Sequence, residues 1–299
     1  MGKTYFDIIG GIKFAISQVG NMEMLKLGAL YAFLAIIPSY GMAMITGSSR
    51  YAPYSQATTI SPGASMAVLA LGLVAVVLGL FNFFYVLPRI MRTAIKANGM
   101  GVPQKVPGVV EWFMLHLRLF AVDITCWYDK KLLIPTVVLL IIGIVAAFTF
   151  VEVGILFFMI AIFAWIIAMI IHGIRTTFSQ YLLLRGDGHE GQMPRKSFDT
   201  IKGQTVEVFI PQFVFGVIAF VVAMVIVFAT VFTSMIPVVG TTIEYIVMFA
   251  LEAVMIAIGT SYMANMFKFF FNEGHARPSV APAAATRKKT HARKGGKKK

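Results

Sequence analysis

The sequence predicts an all-α membrane protein: a polytopic bundle of six transmembrane helices in three hairpins, with interfacial amphipathic helices beside them. Three observations predict it. Of 299 residues, 58% are hydrophobic and only 13% charged, with a mean hydropathy of +0.81. Soluble domains carry about 25% charged residues, so a water-soluble core of this size cannot hide so much apolar surface. Second, the apolar residues fall in continuous runs of about twenty, the length that crosses a bilayer as helix; they do not alternate as in a β-barrel. Third, the basic residues collect in every other connection, as the positive-inside rule requires. Soluble enzymes, disulfide-stapled secreted domains and the usual nucleic-acid-binding folds are excluded.

The first span runs from about Leu27 to Ile45, with Pro38 inside it; neighbouring helices can satisfy the carbonyl that a proline frees. No long apolar run precedes it, so no cleavable signal peptide is expected and the first span is its own insertion signal. The other spans are Met66–Leu87, Leu132–Phe150, Gly154–Ile174, Val208–Ile236 and Ile243–Met266. Of the 26 Lys and Arg residues, only Arg50 falls on the opposite side from the rest. The expected topology therefore has both termini cytoplasmic in the cell membrane. Residues 1–276 form the transmembrane domain, and residues 277–299 a disordered basic tail.

Each hairpin is preceded by a stretch of similar character. Ile8, Ile12, Ala15, Ile16 and Val19 recur at helical spacing before the first span. Val110–Ala121 precedes the third, and Ser197–Gln204, where Phe198 and Ile201 share a face, precedes the fifth. These read as interfacial helices, followed by small or polar steps at Gly20-Asn21, Tyr128-Asp129 and Gly203-Gln204 that suit a helix start. The hairpins also end alike. An amide or acid precedes Gly99, Gly188 and Gly274, and Pro103, Pro194 and Pro278 follow, so glycine ends the helix and proline prevents its continuation. Together these predict a threefold internal repeat.

The fourth connection reads Phe178-Ser-Gln-Tyr-Leu-Leu-Leu-Arg-Gly-Asp-Gly188 and then Arg195-Lys-Ser-Phe-Asp-Thr-Ile-Lys-Gly-Gln204. This stretch resembles a family of six-span membrane proteins similar to the membrane domain attached to some glycerophosphodiester phosphodiesterases. Ser197, Lys202 and Gly203 occupy the places of that family's basic–Ser–x–x–x–x–Lys–Gly helix. Where the family shows an Ala-rich helix, Pro194-Arg195-Lys196 stands here. The likeness covers about the last 130 residues and, by topology only, the first half. It implies a membrane-embedded accessory or transport-related role. No phosphodiesterase catalytic domain accompanies it, so hydrolase activity is not implied.

Intramembrane ionisable residues are functional candidates by default. Glu252, near the middle of the sixth span, is the one acidic residue well inside a span. It suits either a proton or cation site or a neutral carboxyl hydrogen-bonded to a neighbouring helix. Asn82, Gln212 and Asn265 are its candidate polar partners. Tyr245 lies seven residues before Glu252 and Gly259 seven after, close to two turns, so the three share a face expected to point inward. Glu152 and Glu244 are expected at a solvated outer rim.

His116, His172, His189, His275 and His291 are scattered without zinc-helix spacing. No metal, cofactor or catalytic constellation is expected. Cys126 is the single cysteine and reads as a free thiol packed in a helix. In the tail, Arg287, Lys288, Lys289, Arg293, Lys294, Lys297, Lys298 and Lys299 form a cluster with no acidic residue beside it. Such a cluster is drawn to anionic lipid headgroups. Contact with nucleic acid or ribosome would use the same charge, but no aromatic residues are interleaved for base stacking. The sequence favours a non-enzymatic scaffold or accessory protein that organises lipid or protein partners. The alternative is a small transporter or channel with Glu252 in its path.

Overall fold

In a computed structural model, the chain is described over residues 5–46, 62–104, 106–148, 150–231 and 239–272. The basic tail lies outside the described residues, as do the end of the last hairpin and the loops at 47–61 and 232–238. Every regular element among the described residues is helical: α1 Ile8–Ser17, α2 Met22–Thr46, α3 Pro62–Phe81, α4 Leu87–Ala97, α5 Val109–Thr125, α6 Lys130–Ala147, α7 Val151–Thr176, α8 Ser179–Arg185, α9 Met193–Ile201, α10 Thr205–Val231 and α11 Val239–Asn272. Five helical stretches are long and apolar enough to cross a membrane. Residues 8–20 and 22–38, which bend by 84° at their junction, bring the number to six if the bent pair is one span. The chain is an all-α, multi-pass membrane protein.

Local chemistry sets the breaks. The α1 N-cap, Asp7, accepts a hydrogen bond from the Gly10 amide at 2.9 Å. Asn21 stands at the bend, and its Oδ1 accepts from the Glu23 amide at 3.1 Å. Asp129 caps α6 by accepting from the Lys131 amide at 3.1 Å. Each short polar side chain satisfies an amide that the helix start leaves without a partner. Gly99 (φ 73°) and Gly186 (φ 82°) end α4 and α8 in the left-handed region, where glycine carries no Cβ penalty.

Two features depart from simple spans. The second span passes through a π-helical turn at Asn82–Val86, where the Leu87 amide bonds the Asn82 carbonyl five residues back. Pro88 follows and has no amide to donate, so the α ladder cannot resume at once. The fourth span runs on through Thr177 and Phe178 into α8, well beyond Ile174.

The hairpin α6–α7 closes tightly because a Cβ on Gly154 would collide with the Ala147 backbone. The α2–α11 crossing is equally close: a Cβ on Gly28 would stand 2.5 Å from the Ala253 carbonyl oxygen. The buried core gathers at the basic end of the bundle, around Trp112, Phe178, Leu182, Tyr262, Phe267 and Phe270. Here α1, α5 and α9 pack against the ends of α11, α7 and α8. The outward faces of α1 (Ile9, Ile16) and α5 (Phe113, Leu117, Phe120) expose large apolar side chains, as a helix lying in the membrane interface does.

Candidate functional site

Arg175, at the end of α7, gathers two helix starts and the middle of α9. Its Nη1 donates to Asp129 Oδ2 at 2.7 Å, and its Nε donates to Thr205 Oγ1 at 2.9 Å. Its own carbonyl accepts from Ser197 Oγ at 2.8 Å. The guanidinium also lies over the Phe198 ring, 5.2 Å from its centroid. α6, α9 and α10 are thus clasped to α7 by one side chain and its carbonyl. Burial raises the Asp129 carboxyl pKa, but the bonds from Arg175 and the Lys131 amide outweigh it and hold the carboxyl below its ordinary value.

The next residue, Thr176, faces the other way. It borders a cavity of about 730 Å³ between α4, α5, α7–α8, α10 and α11. That volume falls within the roughly 300–1,000 Å³ of ligand pockets. Most of the wall is apolar, including Leu87, Met91, Phe215, Ile256 and Met263. Its polar side chains are His116, Asp123, Thr176, Thr177, Gln180 and Thr260, with the Tyr181 phenol.

His116 Nδ1 lies 2.8 Å from the Trp112 carbonyl and must donate to it. Its Nε2 therefore accepts from Gln180 Nε2 at 2.9 Å, and this pairing holds the ring neutral. Burial pushes its pKa down, against the raising effect of the Trp112 carbonyl. Asp123 stands two turns along α5. The Thr176 hydroxyl has one proton and two acceptors at 3.0 Å, Asp123 Oδ1 and the His172 carbonyl. Burial pushes the Asp123 carboxyl up to about 6, with the Thr176 bond acting in the opposite direction. It forms no ion pair among the described residues. The Trp165 indole donates to the Ile124 carbonyl at 2.7 Å and fixes this end of α5 against α7.

The structure brings some of the residues expected at one intramembrane site together: Asn82 and Glu252 both approach Tyr31. Tyr245 is buried, its ring edge-on to Tyr40 with centroids 4.9 Å apart. Asn265, twenty residues on, is about 30 Å further along the same helix. Asn82 Nδ2 donates to the Tyr31 carbonyl at 2.9 Å beside a second cavity of about 430 Å³. Gln212 donates to Thr177 Oγ1 at 3.4 Å, a tie between α10 and the end of α7. Glu252 is half-buried near the α2–α11 crossing, within electrostatic reach of Tyr31, and lines neither cavity.

On the face shared by Tyr245, Glu252 and Gly259, Tyr245 is buried, Glu252 half-buried, and Gly259 lines the large cavity. Glu244, expected at a solvated rim, is only 1% exposed; it lies inside α11, in a packed helix rather than a surface loop. Cys126 lies just past α5 as its left-handed cap (φ 50°), buried, with Sγ 3.4 Å from the Asp123 carbonyl. The basic tail residues Arg287–Lys299 lie outside the described residues. Among the described residues, no group of three His, Cys, Asp or Glu side chains is arranged to hold a metal.

Sequence reasoning passed over His116, Asp123, Thr176 and Gln180 as a group. Its one available signal was the seven-residue spacing of His116 and Asp123, which sets both on one face of α5. A scan against protein-family models, a search of curated proteins and a search of solved structures each found no match.

Proposed function

We propose that this membrane protein is a non-enzymatic scaffold or accessory protein that organises lipid or protein partners at its basic, cytoplasmic face. The observation that carries the reading is the setting of Glu252. It lies near a crossing so close that Gly28 has no room for a Cβ, and it borders neither cavity. A transport residue needs a water-filled path with polar groups from several helices around it. By contrast, α1 and α5 gather with α9 at one end of the bundle and turn apolar faces outward, while α9 buries Phe198 and Ile201 and exposes Arg195, Lys196 and Asp199. In this reading they lie in the headgroup region, and the basic tail adds attraction to anionic lipid. The resemblance of Arg195–Gln204 to the six-span family is in keeping with an accessory role.

A small transporter or channel with Glu252 in its path is the second reading. It draws on the Asn82–Tyr31 hydrogen bond and the proximity of Tyr31 to Glu252, which bring polar groups of three helices together. Solute flux into proteoliposomes separates the two, comparing wild type with Glu252→Gln, with and without a pH gradient. The scaffold reading expects no flux over a broad solute panel and at most a change in thermal stability on substitution. Proton-coupled flux abolished by Glu252→Gln would replace it with the transporter.

A further inference from the structure

The hydrogen-bonding capacity left on the wall of the 730 Å³ cavity says what it can hold. Both His116 nitrogens are engaged, and so is the proton of the Thr176 hydroxyl. The Thr260 hydroxyl donates to the Ile256 carbonyl at 2.7 Å, and the Tyr181 phenol to the Thr260 carbonyl at 3.3 Å. Two strong acceptors remain without a partner among the described residues, Asp123 Oδ2 and Gln180 Oε1. Thr177 keeps one hydroxyl proton to give. Among the described residues, no Lys or Arg lines the cavity. An anionic headgroup would therefore face an unpaired carboxylate with no cation to receive it, while a cation would find its counter-charge.

The rest of the wall is apolar, and Phe120 marks where it opens. That side chain both lines the cavity and is 65% exposed, in the same outward apolar stripe of α5 as Phe113 and Leu117. With α5 lying in the membrane interface, as that apolar stripe suits, the mouth faces lipid rather than the aqueous phase. A ligand that enters from there carries a hydrocarbon body.

We propose that this cavity binds a single-chain amphiphile with a protonated amine headgroup, its ammonium on Asp123 and its chain against Met91, Phe215 and Ile256. The site does not depend on the scaffold reading. It would serve as a built-in lipid-amine site in a scaffold and would stand equally if flux were found. At neutral pH the Asp123 carboxyl, with its pKa near 6, is ionised and available. Loss of the charged hydrogen bond to Asp123 is expected to weaken binding at least about tenfold.

The test is thermal unfolding of the full-length detergent-solubilised protein at pH 7.5 with dodecylamine, dodecanol or dodecanoate, which share a chain and differ in headgroup. Dodecylamine is expected to raise the unfolding temperature, and the other two are not. Asp123→Asn is expected to weaken the amine response at least tenfold in concentration. Gly173→Leu supplies a second variant, because Gly173 lines the cavity and a Cβ there meets nothing within 4 Å. It is expected to fold, fill the space and abolish the response. Equal shifts from all three amphiphiles, a dodecanol shift matching that of the amine, or an amine shift that survives both substitutions would overturn the assignment.

Discussion

Arg175 and Thr176 are consecutive residues with opposite surroundings. On the Arg175 side, Asp129, Thr205 and Ser197 meet their partners at 2.7–2.9 Å. On the Thr176 side, Asp123 is pushed up to about 6 and shares at most one proton donor. The two carboxylates stand six residues apart and are shifted in opposite directions. Polar groups that hold a fold together satisfy one another, because an unpaired group away from water costs free energy. Polar groups that await a ligand keep capacity in reserve. The clasp is architecture, and the cavity wall is a site.

Breaking the clasp has the largest expected effect. Arg175→Ala leaves Asp129 buried and unpaired and releases α10, which corresponds to a loss of about 3 kcal/mol or more. The check is the midpoint of thermal unfolding in detergent, with Arg175→Ala/Asp129→Asn recovering part of the loss because the uncompensated charge is gone. If Arg175→Ala unfolded no earlier than wild type, the clasp would not be structural.

Helix approach gives the middle effect and a contrast between two glycines. Gly28→Ala forces a Cβ against the Ala253 carbonyl, and it is expected to cost about 1–3 kcal/mol as overpacking. Gly173→Ala meets open space and is expected to be neutral or to gain up to about 1 kcal/mol in helix propensity. Paired unfolding curves decide this, and an equal cost at both positions would contradict the geometry.

The smallest effect is a pH dependence. The Asp123 pKa is raised in the fold from its ordinary 3.8 to about 6. Between those values the folded state binds more protons than the unfolded one, so this group makes stability fall as pH rises from about 4 to about 6 and level off above. Asp123→Asn removes that dependence. The variant is expected to exceed wild type in stability at pH 7, with the gap closing towards pH 4. Cys126 and Tyr128, whose ionisation is opposed by burial first and by the Asp123 charge after it, stay protonated across this range. His116 is unchanged between the two proteins, so the difference isolates Asp123. A gap that widens on acidification would reverse the assignment.

The helical membrane class was legible because twenty apolar residues in succession have few other solutions. The caps were legible too, since Asn21 and Asp129 are short acceptors at the positions where a helix start needs them. The π turn at Asn82–Val86 was not, because Pro88 permits several local repairs and packing selects among them. Nor was the burial of Glu244, which depends on neighbours from other helices rather than on its own segment. The cavity was hidden for the same reason: His116, Thr176, Gln180 and Thr260 come from three separate stretches of the chain. Hydropathy also drew attention to Glu252, a charge inside a span, and away from Asp123, a charge on an interfacial helix where charges are ordinary.

The most direct test of the division between clasp and site is native mass spectrometry of the protein extracted from its own membranes, wild type beside Gly173→Leu. The cavity as described predicts an amine-bearing amphiphile that stays with the wild type and is missing from the filled variant. The same bound lipids on both, or an anionic lipid held in the wild-type cavity, would contradict it.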